Sequence, residues 1–453
     1  MAARGAGPDS LLEVQSPEAA ALIKKRRAFL GRLRALRIGG LPSQVALALA
    51  QARTAGDCIY VARTCGLPAA DAEELDALLE TEVLSLLGDG PRPISAREAR
   101  ARGGEHATSR TFLPARDHGL GFLSLAIVRT AALTASWHSA LPHILSRLGL
   151  PSPASLTSRT TWSSTAIQES IRNLRHATGD ATAELGDTEV DASQHSLTLS
   201  SYAAASSQLI AVATDPVASS ALLSCGGIGA GACLRAPTAP AHRLLDSQFR
   251  MMLSTRLQLA VFAPGGICLH RRPNGSLCGA PLDVYGIHAR CCAVGGWRVK
   301  KHNACVNALA AWAEEEADCS VFKEQVVPTA NDDHAESRLD LVIYSPRMAG
   351  AIYVDLTIVS ACSQEALGRG SAGFAGVAAC IAEERKCSKY PNIDPWPFAI
   401  EDHGRWGDSA VALARALAPL SPSLRSSPLR RLHQAAAVTM QRTAADNMLA
   451  AMR

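Results

Sequence analysis

Leu, Ile and Ala recur at three- and four-residue spacing among charges over residues 19–36 and 71–87, which predicts amphipathic helices along the first 150 residues. Pro91, Pro93, Gly103, Gly104 and Pro114 punctuate a loop-rich stretch, after which residues 119–148 return to an apolar helical pattern around Trp137. Residues 151–224 are rich in Ser, Thr and Ala and read as a connector with helical fragments. Near residue 260 the texture changes to Gly, Cys, His and short β-branched runs. Residues 322–327, 339–344, 351–359 and 397–400 predict strands, flanked by helical patterns over 303–318 and 373–390. The order helix, three strands, helix, strand predicts a small α/β unit with a mixed sheet.

Composition narrows the class. With 453 residues and 47% hydrophobic content the chain can form two or three domains with real cores, which excludes a disordered tail protein. The net charge of +4 is too mild to argue for nucleic acid, so any such argument must come from local sites. The longest apolar runs, such as residues 119–128 before Arg129, fall short of the ~20 residues a membrane span needs, and residues 1–9 lack the apolar core of a secretory signal. We therefore expect a soluble protein. Thirteen cysteines, an odd count, suit a reducing compartment with some thiols on a metal better than a disulfide framework.

Asp340 and Asp355 each lie in an apolar strand, where an ionised side chain is costly unless compensated. The connecting residues 345–350 contain Pro and Gly and centre between positions 347 and 348. A simple hairpin then sets Asp340 opposite Asp355, on one face, with Cβ atoms roughly 4.5 to 5.5 Å apart. Two like charges at that separation repel, and a divalent cation removes the repulsion. Mg²⁺ suits oxygen ligands and phosphate chemistry. Lys386, Lys389 and Tyr390 share one helix face by their spacing, where a cation and a phenol can offset charge near a metal, although such a trio is also what a solvated basic face looks like. Glu324, in the preceding strand, is a further candidate for the same metal.

Cys268, Cys278, His288 and either Cys291 or Cys292 form a C, C, H, C series of the kind that closes a tetrahedral structural zinc site, with His270 as a substitute ligand. Asn274-Gly275 favours a tight turn that brings Cys268 and Cys278 together. Directly after the series come Arg298, Lys300, Lys301, His302 and Asn303 beside Trp297, candidates for nucleic-acid contacts.

Taken in order, these residues resemble the C-terminal region of non-LTR retrotransposon proteins that carry a restriction-like endonuclease of the PD-(D/E)xK type. The likeness runs from Gly229-Ala-Gly-Ala-Cys-Leu-Arg-Ala-Pro through Phe249-Arg and Arg256-Leu into the cysteine series with Gly275-Ser-Leu-Cys-Gly-Ala-Pro-Leu-Asp and Gly286-Ile-His. It continues with Lys301-His-Asn, Arg338-Leu-Asp, Val354-Asp-Leu-Thr, residues 386–390 and Pro397-Phe-Ala-Ile, and so covers roughly residues 225–410. The resemblance implies that Asp340 and Asp355 bind the catalytic metal, that Lys386 is the catalytic lysine relocated to a helix, and that Lys389 and Tyr390 support it. Leu339 stands where the family's name places proline, and Thr357 where many such nucleases keep lysine. The interval from Asp355 to Lys386 is long and holds a Gly-rich insert over 368–376. The polymerase is missing: the one Asp-Asp, Asp332-Asp333, reads as loop.

The expectation is therefore a multidomain α and α/β protein with a helical N-terminal half. Residues 1–150 form a thumb- or linker-like helical domain, 151–262 a Ser/Ala-rich helical connector and 263–300 a CCHC zinc module. A restriction-endonuclease-like α/β domain follows over 301–420 and a C-terminal helix over 421–453. The expected activity is Mg-dependent nicking of DNA to prime reverse transcription, the alternative being an inactive nucleic-acid-binding remnant. The expected cofactors are structural Zn and catalytic Mg. DNA and the element's RNA are the expected partners, with no membrane partner and residence in the nucleus, otherwise in the cytoplasm.

Overall fold

The computed structural model describes residues 17–87, 107–157, 162–213, 215–327, 337–390, 393–419 and 422–452. The loop markers Pro91, Pro93, Gly103 and Gly104, and the Asp332-Asp333 pair, lie outside them.

The apolar spacing of the first segment produces three packed helices: α1 (Pro17–Ile38), α2 (Ser43–Thr64) and α3 (Ala69–Ser85). One stripe of α1 is buried through Ala19, Ile23, Leu30 and Leu33. Arg26 is buried in the same stripe, and its guanidinium donates to Thr54 O at 2.8 Å and Leu75 O at 3.0 Å, tying α1 to both neighbours. The next helix, α4 (Leu125–Leu148), starts where Asp76 of α3 accepts from the N–H groups of Leu125 and Ala126 and from the Ser124 hydroxyl. A carboxylate there satisfies orphan donors and complements the helix dipole. Gly149, at φ 65°, closes its other end.

The described residues of 151–224 are largely helical and pack against α4. They build α5 (Trp162–Thr178), α6 (Gln194–Val212) and α7 (Pro216–Ser224), and Ile167, Leu174, Leu185 and Leu197 share a core with Leu141 of α4. Helix α5 shows a clear apolar stripe through Ile167, Ile171 and Leu174, whereas the Ala- and Ser-rich α6 and α7 give only a faint hydrophobic period.

After α8 (Asp246–Arg256) and α9 (Trp297–Glu315) comes the sheet: β1 (Ser320–Val327), β2 (Ser337–Tyr344), β3 (Ala351–Val359) and, beyond α10 (Val377–Lys389), β4 (Pro395–Glu401). The strand order is β1-β2-β3-β4, with the first two pairings antiparallel and β3–β4 parallel. A parallel pair needs a crossover, which α10 supplies. Alternation turns Leu341, Ile343, Ile352, Val354 and Leu356 onto one face, where they pack with Leu309 and Trp312 of α9 and with α11 (Asp408–Leu417). Each such fully buried side chain contributes about 1.5–3 kcal/mol.

The last helix, α12 (Pro422–Ala450), is not an appendage. Leu432, Ala436 and Met440 join the sheet core, Ala437 and Val438 join a core with α1 to α3 and α8, and Met448 with Ala451 joins a core around Cys268 and Cys292. No helix among the described residues is long and apolar enough to cross a membrane.

Candidate functional site

The cysteine series folds as a hairpin followed by a short helix. Cys268 N donates to Ala280 O, Gly279 N to Cys268 O and Cys278 N to His270 O, while Gly275, at φ 81°, makes the turn with Asn274 accepting from Ser276. Asp283 then accepts from the N–H groups of Ile287 and His288 at 2.9 and 2.8 Å, which starts the helix Ile287–Cys291 and aims His288 back at the hairpin. Gly286, at φ 78°, takes a left-handed conformation that other residues rarely adopt, with the Met448 methyl packed against it.

The metal-binding atoms of Cys268, Cys278, His288 and Cys292 all lie within 4.8 Å of one another. Two Zn–S bonds of 2.3 Å at a tetrahedral angle put their sulfurs about 3.8 Å apart, and a Zn–S with a Zn–N bond gives about 3.6 Å. The measured separations are 3.9 Å for Cys268 to Cys292, 3.8 Å for Cys292 to Cys278 and 3.6 Å for Cys278 to His288 Nε2. The four residues can hold a metal ion such as zinc. Burial pushes the Cys292 thiol up to about 12 without a metal, so a cation is what would favour its thiolate.

Two of the open alternatives are settled by geometry. Cys291 is turned away from the group, its thiol 3.5 Å from Asp402 Oδ2, and burial beside that carboxylate raises it to about 11. His270 stands behind the group, with Nδ1 3.3 Å from Cys268 Sγ and Nε2 3.1 Å from Asn447 O, where it orients a ligand.

The acidic pair is built by the sheet. Residues 341 and 354 face each other, as do 344 and 351, the register expected from the short turn. Asp340 and Asp355 are the next positions out, on the face opposite the α9 core. Asp340 Oδ2 accepts from Leu356 N at 2.7 Å and lies 3.2 Å from His302 Nε2. Asp355 Oδ1 is 2.5 Å from Lys386 Nζ, and its Oδ2 is 2.9 Å from the Tyr390 hydroxyl. That hydroxyl also lies 3.1 Å from Arg338 O and accepts from Lys389 Nζ at 2.8 Å; Lys389 itself stays 4.0 Å from Asp355. Despite the Gly-rich insert, α10 brings Lys386 and Tyr390 onto the same carboxylate.

Electrostatics separates the two acids. Burial pushes Asp340 up, but His302 and the Leu356 N–H outweigh it and hold the carboxyl below its ordinary value. Burial also raises Asp355, and the Asp340 charge adds to it, so Lys386 and Tyr390 offset the rise only in part. His302 is raised to about 9, chiefly by its bond to Asp340. Its Nε2 faces Asp340 and Leu356 O, and its Nδ1 faces Asn303 Oδ1, so acceptors at both nitrogens call for the imidazolium.

The remaining candidates are dispersed. Glu324 falls between the pairs Lys323–Leu341 and Gln325–Leu339, hence level with Asp340, yet it is exposed, its φ of 51° takes it out of the pairing within β1, and it carries none of the bonds above. Lys301 departs from a surface phosphate contact: it is buried and donates to Arg290 O at 3.1 Å. Lys300 lies over the Trp297 ring, Arg298 donates to Cys291 O, and both are exposed with Asn303.

Sequence reasoning missed Arg290 and Asp402. Arg290 is buried and donates to Asp402 O and to Gln441 of α12, joining the cysteine module to the end of β4. An Arg and an Asp more than a hundred positions apart carry no local spacing that would pair them. A cleft of about 490 Å³ opens beside them, lined by His302, Thr357, Val359, Ile381, Arg385 and Asp402 among others.

No protein-family model and no curated protein matches the chain.

Proposed function

We propose that the chain is a Mg-dependent DNA endonuclease of the restriction-like class, anchored by a structural zinc module, as in the non-LTR retrotransposon proteins its motifs resemble. The observation that carries this reading is the convergence of Lys386 and Tyr390 on Asp355, with Asp340 beside it on the same sheet face. The helix, three-strand, helix, strand order with a parallel fourth strand supports it.

The donor set fits a hard divalent cation: two carboxylates close enough to perturb each other, one of them raised, are relieved by a shared positive charge. Asp340 and Asp355 would hold the ion. When bound, magnesium supplies positive charge to the scissile phosphate and eases deprotonation of the attacking water. Lys386 keeps Asp355 ionised and offsets the charge that grows on the phosphate oxygens. Tyr390 fixes the second oxygen of Asp355, and His302 fixes Asp340. Chromosomal DNA as target places the activity in the nucleus, with element RNA as the second nucleic-acid partner.

Nicking of supercoiled plasmid tests the reading. Parent protein with Mg²⁺ should convert plasmid to open circle, and Asp340→Ala should reduce the rate at least a thousandfold. Equal background in both would favour the second reading, an inactive nucleic-acid-binding remnant, which has one observation of its own: both Asp355 oxygens already have protein partners.

A further inference from the structure

The cleft beside the acidic pair has features that phosphodiester cleavage does not use. Val359, Ala378, Ile381 and Ala382 give it an apolar wall, and the exposed Arg298 and Arg385 stand at its rim, the latter paired with Glu365. Its floor includes Asp402, which is 1% exposed and whose Oδ1 has no hydrogen-bond partner among the described residues. A buried carboxylate oxygen left unpaired costs free energy unless a donor arrives. The cleft also adjoins the acids directly. His302 lines it while bonded to Asp340, and Thr357 follows Asp355 by two residues on the same face of β3.

Taking the nuclease reading as its basis, we propose that this cleft receives one unpaired nucleobase next to the scissile phosphate, with Asp402 accepting a hydrogen bond from the base's amino group. Apolar walls suit the flat faces of an extruded base, and a carboxylate reads the N4 amine of cytosine. Rim guanidiniums hold the flanking phosphates. On α10, Ala378 and Ala382 leave room opposite Thr357 and Val359 of β3. The preferred substrate is then DNA with a nucleotide unpaired next to the scissile phosphate, with fully paired duplex bound more weakly.

The test is equilibrium binding of the full chain, without magnesium, to three duplexes of one length: fully paired, with a single-cytosine bulge, and with an abasic bulge. The cytosine bulge should bind about tenfold tighter than the abasic bulge, within the range of one base-edge contact. Val299→Trp, at an exposed helix position on the cleft margin, should abolish that preference and leave paired-duplex binding unchanged. Asp402→Asn should lower it. Equal binding of the cytosine and abasic bulges, or a preference that survives Val299→Trp, overturns the inference even where the plasmid assay shows nicking. A preference that is present in a protein unable to nick overturns the catalytic reading and leaves base capture standing.

Discussion

The cysteine cluster and the acidic pair are both groups of metal-type ligands, yet they are constructed in opposite ways. The cysteine group comes from 25 residues of local chain, a hairpin and one short helix, and its four donors face one another with no protein cation between them. The acidic pair comes from two strands and is balanced by Lys386 from α10 and His302 from α9. A closed set of three cysteines and an imidazole has the donors that a metal ion such as zinc takes. Carboxylates that already have cationic partners would, on the proposed reading, hold an ion more loosely.

That contrast is sharpest under metal removal. A strong zinc chelator, or Cys292→Ser, should lower the melting temperature by ten degrees or more, because structural zinc contributes folding free energy outright and this module shares α12 with the rest of the molecule. Cys291→Ser should retain full zinc by elemental analysis; loss of zinc there, with retention in Cys292→Ser, would reverse the assignment. Stripping magnesium should leave the melting temperature within about two degrees.

Lys386→Ala should cut plasmid nicking about a hundredfold or more while zinc content is unchanged, since it removes charge only at the acidic pair. Tyr390→Phe should have a smaller effect, roughly tenfold in rate, with about 1 kcal/mol lost in denaturant unfolding from the missing hydroxyl.

The acidic pair also predicts a pH dependence of stability. His302 has its pKa raised in the folded state, so the stability it adds is fully present below its unfolded value of about 6.5 and is lost as pH rises through about 9. His302→Gln should therefore be less stable than the parent at pH 6, by about 1–2 kcal/mol given its partial exposure, and nearly equal to it at pH 10. A stability gap that widens with pH would contradict the imidazolium.

Sequence pattern carries the local half of this molecule well. The four strands are legible because β-branched runs end at Gly and Pro, and the Asp340–Asp355 register follows because a short turn leaves little freedom. The Asn274-Gly275 turn is legible for the same reason. The choice between adjacent Cys291 and Cys292 is not, because it depends on which way the helix Ile287–Cys291 docks, and that is set by Arg290 reaching Asp402. Lys301 looks like surface charge in a basic run, yet the docking of α9 turns it inward. Packing of the Ala- and Ser-rich helices α6 and α7 leaves almost no periodic trace.

The triple membership of α12 has a consequence for how the chain is made. A ribosome delivers residues in order, so the core of α1 to α3 with α8, the cysteine hairpin and the strand layer each emerge lacking the part that residues 432–451 contribute. Nascent forms would expose apolar surface in three places at once and call on chaperones throughout translation. A single late segment then completes all three together.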